Sequence, residues 1–271
     1  TPEAGKPAIT MGLRGMVYLM VELFGASHDL HSGVHGGVAP NPALELCRRL
    51  STLHHENGRI AVEGYYDSIE APSAEDLALA RKDDIDSERY QREVGVAPLG
   101  GEREREIFER RGFRPTIEIN GIHSGYGGAG SKTVIASSAM AKISSRLVPG
   151  QEPEKMLALL STHLKKHAPQ GLRLEISEIG LGGPALRLDA GAALVQRAKA
   201  VLGKLSKEGV AYVWEGGSIP VVSSMAKIAG AEPLLVGFGV DEDNVHAPNE
   251  SFGLDRFRQG FLYACLLLSG F

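Results

Sequence analysis

The chain has 271 residues, of which 43% are hydrophobic and 23% charged, and its formal net charge is −4. This composition is that of an ordinary globular protein with room for about two domains. The chain has no long basic run of the kind that binds nucleic acid, and no apolar run approaches the roughly 20 residues of a membrane helix. We therefore expect neither nucleic acid nor a membrane as a partner.

The first two thirds of the chain predict an antiparallel sheet with helices on one face. Runs of apolar or alternating residues favour strands at 14–24, 116–120, 133–147 and 172–176. Amphipathic helices are favoured at 41–53, where Asn41 caps a first turn that contains Pro42, and at 153–166. Residues 64–112 are dense in charged side chains, which predicts a solvated helical excursion.

The last third of the chain alternates helix and strand. The pattern predicts a helix at 194–205, a loop opening a helix at 217–228, a short buried strand at 234–239 and a closing helix at 255–268. These elements suit α/β layers but include too few strands for a whole domain. We therefore expect an α/β protein in which an α+β unit precedes a partial α/β domain.

Cys47 and Cys265 both fall on the apolar side of helical patterns. These positions predict buried free thiols in a reducing cytosol, and neither a disulfide nor a metal pair. This favours a cytoplasmic localisation.

A loop rich in histidine and glycine, HDLHSGVHGG at 28–37, lies between the first strand and the first helix. Such a loop aims side chains while glycine lets the backbone come close to a ligand. It is either a catalytic loop or a glycine-rich surface turn with solvated histidines or an incidental metal cluster. His28, His31 and His35 would share one face of a helix, but glycine disfavours a helix there, and with it a three-histidine zinc site.

Three further places carry candidate site residues. His246 follows the predicted buried strand at 234–239, where open α/β sheets place their sites, and is either a ligand or an ordinary loop histidine. Gly216 and Gly217 expose N–H groups before a helix and form either an anion-binding turn or only a turn. Arg146 ends a strand of small and apolar residues and either grips a carboxylate or lies over a sheet edge.

Seven runs occur in the order of one known family and span nearly the whole chain outside residues 64–112. They are PAITMGLRG (7–15), DLHSGVHGG (29–37), NPALEL (41–46), SKTVI (131–135), AKISSRLVPG (141–150), EGGSIP (215–220) and HAPNE (246–250). On these runs the chain resembles the carnosinase-type zinc dipeptidases. They are part of a larger family of co-catalytic zinc peptidases and deacylases that includes acetylornithine deacetylase and carboxypeptidase G.

The resemblance implies three parts in the chain. Residues 1–10 would end an N-terminal catalytic segment, residues 11–185 would form an inserted lid or dimerisation domain, and residues 186–271 would form the C-terminal portion of the catalytic domain. The resemblance also implies a homodimer through the lid domain, a short peptide as substrate, and two zinc ions in each complete active site.

The resemblance assigns roles to single residues as well. His31 is similar to the lid histidine that reaches the partner subunit's active site and stabilises the oxyanion. Arg146 and Thr133 resemble the pair that holds the substrate's C-terminal carboxylate. Ser218, with the amides of the two glycines before it, Gly216 and Gly217, resembles the turn that assists them. A dipeptidase must measure the distance from that carboxylate to the scissile carbonyl, and an arginine suits this task.

His246 resembles the terminal ligand of one zinc ion, whereas the family's other ligands and its general-base glutamate lie upstream of the PAITMGLRG run and are not in this sequence. One histidine is far short of a two-zinc site, so we expect the chain alone to be an incomplete, inactive part of an enzyme. Trp214 stands where the family has an arginine, and Ala136 where it has a proline. The first departure puts some substrate contacts in question.

The sequence therefore predicts part of a zinc-dependent dipeptidase that hydrolyses short peptides with a free C-terminal carboxylate. Two alternatives stay open. One is an acyl-amino-acid deacylase of the same family, which does not need a free amino group on its substrate. The other is a non-catalytic dimerisation or binding module.

Overall fold

A computed structural model describes residues 5–83, 85–245 and 247–270. Its strands are β1 Ala8–Leu13, β2 Gly15–Phe24, β3 Leu30–His31, β4 Thr116–Ser124, β5 Val134–Ile135, β6 Ser138–Leu147, β7 Arg173–Leu181, β8 Leu186–Arg187, β9 Ala211–Glu215 and β10 Leu235–Gly237. Its α-helices are α1 Ser32–His35, α2 Pro42–Ser51, α3 Ala74–Lys82, α4 Ser87–Val94, α5 Ile107–Gly112, α6 Pro153–Lys166, α7 Ala193–Leu205, α8 Pro220–Ala229 and α9 Leu254–Leu268.

The first sheet is antiparallel, with the strand order β4-β6-β2-β7. Every second residue of β2, from Val17 to Leu23, is buried, because successive side chains of a strand point to opposite faces. Helices α2 and α6 cover this face with Leu46 and Leu160, which are about 1% exposed. The predicted sheet with helices on one face is therefore confirmed.

The second sheet is built around β1, which pairs in parallel with β9 and antiparallel with β8 and β10. Helices α7 and α9 contribute to its core, where Ile9 and Met11 are fully buried. Helices α3 and α5 of the charged segment pack against β9. The segment at 64–112 is helical as predicted, but it places Phe108 in the second core.

The two sheets are joined where β1 ends at Leu13 and β2 begins at Gly15, so a single residue, Arg14, links them. The chain returns beside this link, since the N–H of Met16 donates to the Gly183 carbonyl at 3.1 Å. A Cβ on Gly15 would stand 2.7–2.9 Å from backbone atoms of residues 183–185. Glycine is therefore needed at this close crossing.

Several predicted elements need correction. The single strand predicted at 133–147 is two strands, β5 and β6, separated at Ala136 and Ser137. A one-turn helix, α1, forms in the histidine-rich loop, where glycine had predicted none. It forms because the N–H of Gly33 donates to Nδ1 of His31, which caps the turn.

Cys47 and Cys265 are both exposed, so the prediction of buried thiols is wrong. Helix α2 buries Leu46 and Leu50, and Cys47 lies beside that face, not on it. The buried residue of α9 is Tyr263. The cytoplasmic localisation thus stays a prediction. None of the helices in the described parts of the chain is long and apolar enough to cross a membrane.

Candidate functional site

The glycine-rich turn after β9 and the end of β6 meet at the junction of the two sheets. Arg146, near the end of β6, donates from Nη1 to Oγ of Ser218 at 2.8 Å. Ser218 follows Gly216 and Gly217 and stands two residues before α8. The structure therefore brings together four of the predicted site residues, a guanidinium, a hydroxyl and two glycine amides, which suit a carboxylate.

Arg14 belongs to the same cluster and was missed in the sequence. Its Nε donates to the Gly216 carbonyl at 2.9 Å, and its own carbonyl accepts a hydrogen bond from Ser218 Oγ at 2.5 Å. Burial, and then the charge of Arg146, lower the pKa of Arg14 to about 10. Its position at the end of the PAITMGLRG run was the one signal in the sequence that could have found it.

His31 and Thr133 form a second group on the short β3–β5 ladder, where His31 is paired with Val134. Nε2 of His31 lies 3.2 Å from Oγ1 of Thr133. Because Nδ1 accepts the Gly33 N–H at 3.0 Å, the neutral ring carries its proton on Nε2, which donates to Thr133. The same N–H is the group that would donate to an oxyanion.

Asp29 ties this loop to the start of β6. Its Oδ1 accepts the N–H of Ser137 at 2.9 Å, and this hydrogen bond holds the pKa of Asp29 below its ordinary value. This hydrogen bond fixes the backbone two residues before His31, whose imidazole lies at the surface.

The two groups lie at opposite ends of β6. Eight residue steps separate Ser138 from Arg146, which at about 3.3 Å per residue is about 26 Å. Within one chain Thr133 therefore stands beside His31 and far from Arg146. A carboxylate site shared by Thr133 and Arg146 would need two copies of the chain, and this role of Thr133 stays a prediction.

His246, the predicted metal ligand, lies outside the described residues. In the parts of the chain that the structure describes, no group of three or more His, Cys, Asp or Glu side chains is placed to hold a metal ion. The described residues alone therefore do not fit a two-zinc site.

The two departures from the family pattern have different surroundings. Trp214 is 8% exposed and packs in the second core, with its ring centroid 5.3 Å from that of Phe113. Ala136 lies at the break between β5 and β6, where no strand continues. Trp214 thus has a structural role in the core.

The peptidase dimerisation domain of M20 enzymes matches residues 11–172 of this sequence. The chain belongs to the M20 peptidase family. The match covers strands β2, β4 and β6 of the first sheet, ends just before β7, and includes His31, Thr133 and Arg146.

Individual relatives within the M20 family are dipeptidases. The Cys-Gly metallodipeptidase DUG1 of Candida albicans is 28% identical over 98% of this chain and 54% of its own length. The Beta-Ala-His dipeptidase of Rattus norvegicus is 27% identical over 97% of this chain and 54% of its own length. The chain therefore spans about half the length of the curated relatives it matches.

A solved M20 structure has the same fold over nearly the whole chain. The metallo-carboxypeptidase Sso-CP2 from Sulfolobus solfataricus superposes with a TM-score of 0.85 at 28% identity, covering 97% of this chain and 60% of that one. The arrangement of both sheets is therefore that of an M20 enzyme.

Proposed function

We propose that this chain is part of a metal-dependent dipeptidase that acts as a homodimer on short peptides with a free C-terminal carboxylate. The similarity to dipeptidases over 97–98% of the chain supports the reaction. The observation that carries the dimeric site is that the His31 group lies at the start of β6 and Arg146 near its end, about 26 Å along the strand. A dipeptide is far too short to touch both within one chain.

In this proposal, the three parts of the chain have distinct tasks. Residues 11–185 are the lid and dimerisation domain, within which the matched range 11–172 falls. Residues 186–271 supply the Gly216–Ser218 turn and belong, with residues 1–10, to the catalytic domain. Zinc, which the resemblance to zinc dipeptidases implies, is the cofactor that we propose, with ligands outside the described residues. The similarity to a metallodipeptidase supports a metal, and a bound zinc ion would supply an activated water.

The residues of this chain bind and orient the peptide. Arg146 holds the C-terminal carboxylate, assisted by Ser218 and by the amides of Gly216 and Gly217, which fixes the distance to the scissile carbonyl. From the other copy, Nε2–H of His31 exchanges its contact with Thr133 for the oxygen of the tetrahedral intermediate, whose negative charge it stabilises.

Mixing two variants of the full-length protein, assayed at a substrate concentration well below the parent KM at which each is impaired, tests this arrangement. We expect His31→Ala alone to lower kcat at least about a hundredfold with unchanged metal content, and Arg146→Ala to raise KM for dipeptides. In an equal mixture, half of the dimers are mixed, and each of them has one intact site of two. The mixture should therefore regain about a quarter of the parent activity.

A mixture no more active than its separate components would refute a site shared between copies. Parent protein that cleaves N-acyl amino acids but not dipeptides would instead support a deacylase. Dimerisation without any hydrolysis would support a binding module. The variants are mixed by unfolding and refolding them together. In the control, each variant is unfolded and refolded alone under the same conditions.

A further inference from the structure

Arg14 holds the Gly216–Ser218 turn at three points, with both its backbone and its side chain. Its N–H donates to the Gly217 carbonyl at 3.1 Å. Its Nε donates to the Gly216 carbonyl at 2.9 Å, and its carbonyl accepts the Ser218 hydroxyl at 2.5 Å. Each residue of the turn therefore has one hydrogen bond to Arg14.

The same guanidinium reaches a third segment of the chain. Its Nη1 lies 3.5 Å from the Arg110 carbonyl and 3.4 Å from the Arg114 carbonyl, on either side of the end of α5. A Cβ on Gly216 would stand 2.9 Å from Nη2 of Arg14, so glycine leaves the space in which the guanidinium lies. Only a planar group with several fixed donors can join these carbonyls at once, which a lysine cannot do.

The contact of Arg14 with Ser218 determines how Ser218 meets Arg146. A serine hydroxyl has one proton, and here it points to the Arg14 carbonyl. The lone pairs of Ser218 Oγ are then available to accept from Nη1 of Arg146 at 2.8 Å. The orientation of the Arg146 guanidinium is thereby set by a chain of hydrogen bonds that begins at Arg14.

We infer that Arg14 is a positioning residue, which aims Arg146 at the substrate's C-terminal carboxylate through Ser218. This inference rests on the proposed dipeptidase function. In this inference Arg14 does not bind the peptide itself, because its Nε and Nη1 face the carbonyls of Gly216 and of Arg110 and Arg114 at the end of α5. Its loss should weaken the binding of the carboxylate and leave the chemistry of peptide cleavage nearly unchanged.

The test is the Arg14→Lys variant of the full-length protein, assayed on a dipeptide and on its C-terminal amide. We expect KM for the dipeptide to rise about tenfold, the size of one misaligned charge-assisted hydrogen bond, with kcat nearly unchanged. KM for the amide should not change. In an Arg146→Lys background, Arg14→Lys should raise KM for the dipeptide little further, because both residues act on the same interaction with the carboxylate.

The matched control is Arg197→Lys. Arg197 is also partly buried and donates to a backbone carbonyl, that of Leu267, but it lies on α7 away from the turn. If Arg14→Lys does not fold, Gly216→Ala displaces the guanidinium by a methyl group and should give the same rise in KM.

The outcomes separate the two proposals. Parent protein that does not prefer the free carboxylate over the amide refutes the proposed function. The role of Arg14 alone is refuted if the parent prefers the free carboxylate but the Arg14→Lys variant keeps the parent KM. It is also refuted if that variant loses kcat equally on both substrates.

Discussion

Trp214 makes a large contribution to stability that can be worked out from its surroundings. It is 8% exposed, its ring lies 5.3 Å from that of Phe113, and Cβ atoms on Gly12 and Gly112 would stand 2.7 and 2.6 Å from its side chain. An aromatic side chain buries about 150–250 Å². At about 25 cal/mol per Å², this burial stabilises the fold by roughly 4–6 kcal/mol, an upper estimate. We expect Trp214→Ala to cost about 3–5 kcal/mol.

Urea unfolding followed by far-UV circular dichroism measures this loss. Tryptophan fluorescence is unsuitable, because Trp214 is the single tryptophan of the chain. Tyr126, which is 51% exposed, provides the matched control, and Tyr126→Ala should change stability by no more than about 0.5 kcal/mol. Within the described residues, Nε1 of Trp214 has no hydrogen-bond partner, so Trp214→Phe should retain most of the stability. A Trp214→Ala loss under about 1 kcal/mol would refute the reasoning.

Two further predictions concern buried polar contacts. Tyr65 is fully buried with its hydroxyl 2.6 Å from Oγ of Ser145, and Tyr65→Phe should cost about 1–3 kcal/mol in urea unfolding because Ser145 loses its partner; an unchanged midpoint would contradict this. Hydrogen bonds from Arg256 and from the Val240 N–H lower the pKa of Asp243 to about 2. Since an unfolded aspartate titrates near about 3.9, this contact stabilises the fold above that pH and is lost as the pH falls through about 2. The free energy of unfolding should therefore decrease less steeply at low pH in Asp243→Asn than in the parent. The same decrease in both proteins would show that Asp243 does not contribute.

Elements that depend on local pattern were predictable from the sequence. Helix α6 begins and ends at the predicted residues, and α2 begins at the predicted cap, where Asn41 Oδ1 accepts the Ala43 N–H at 3.0 Å. Apolar periodicity and capping operate over a few residues, so they are visible without a fold. The position of strand β2 is predictable for the same reason.

Features that depend on distant partners were not predictable from local pattern. Arg14 acts on carbonyls about 100 and 200 positions away in the sequence. Phe108 lies in the charged segment and Phe113 directly follows it, and only the position of β9 shows why both are buried. The family resemblance assigns His31 and Arg146 to one reaction. In the fold they lie at opposite ends of β6, and this separation depends on the length and direction of that strand.

The crossing between the sheets has a mechanical consequence. Arg14 and the returning chain at 182–185 lie side by side, so two of the connections between the sheets run next to each other. A rotation of about 10° about this crossing would carry the distant end of β6, about 26 Å away, through roughly 4–5 Å. A small rotation at this crossing would thus displace the His31 loop, which is tied to the start of β6, by several ångströms.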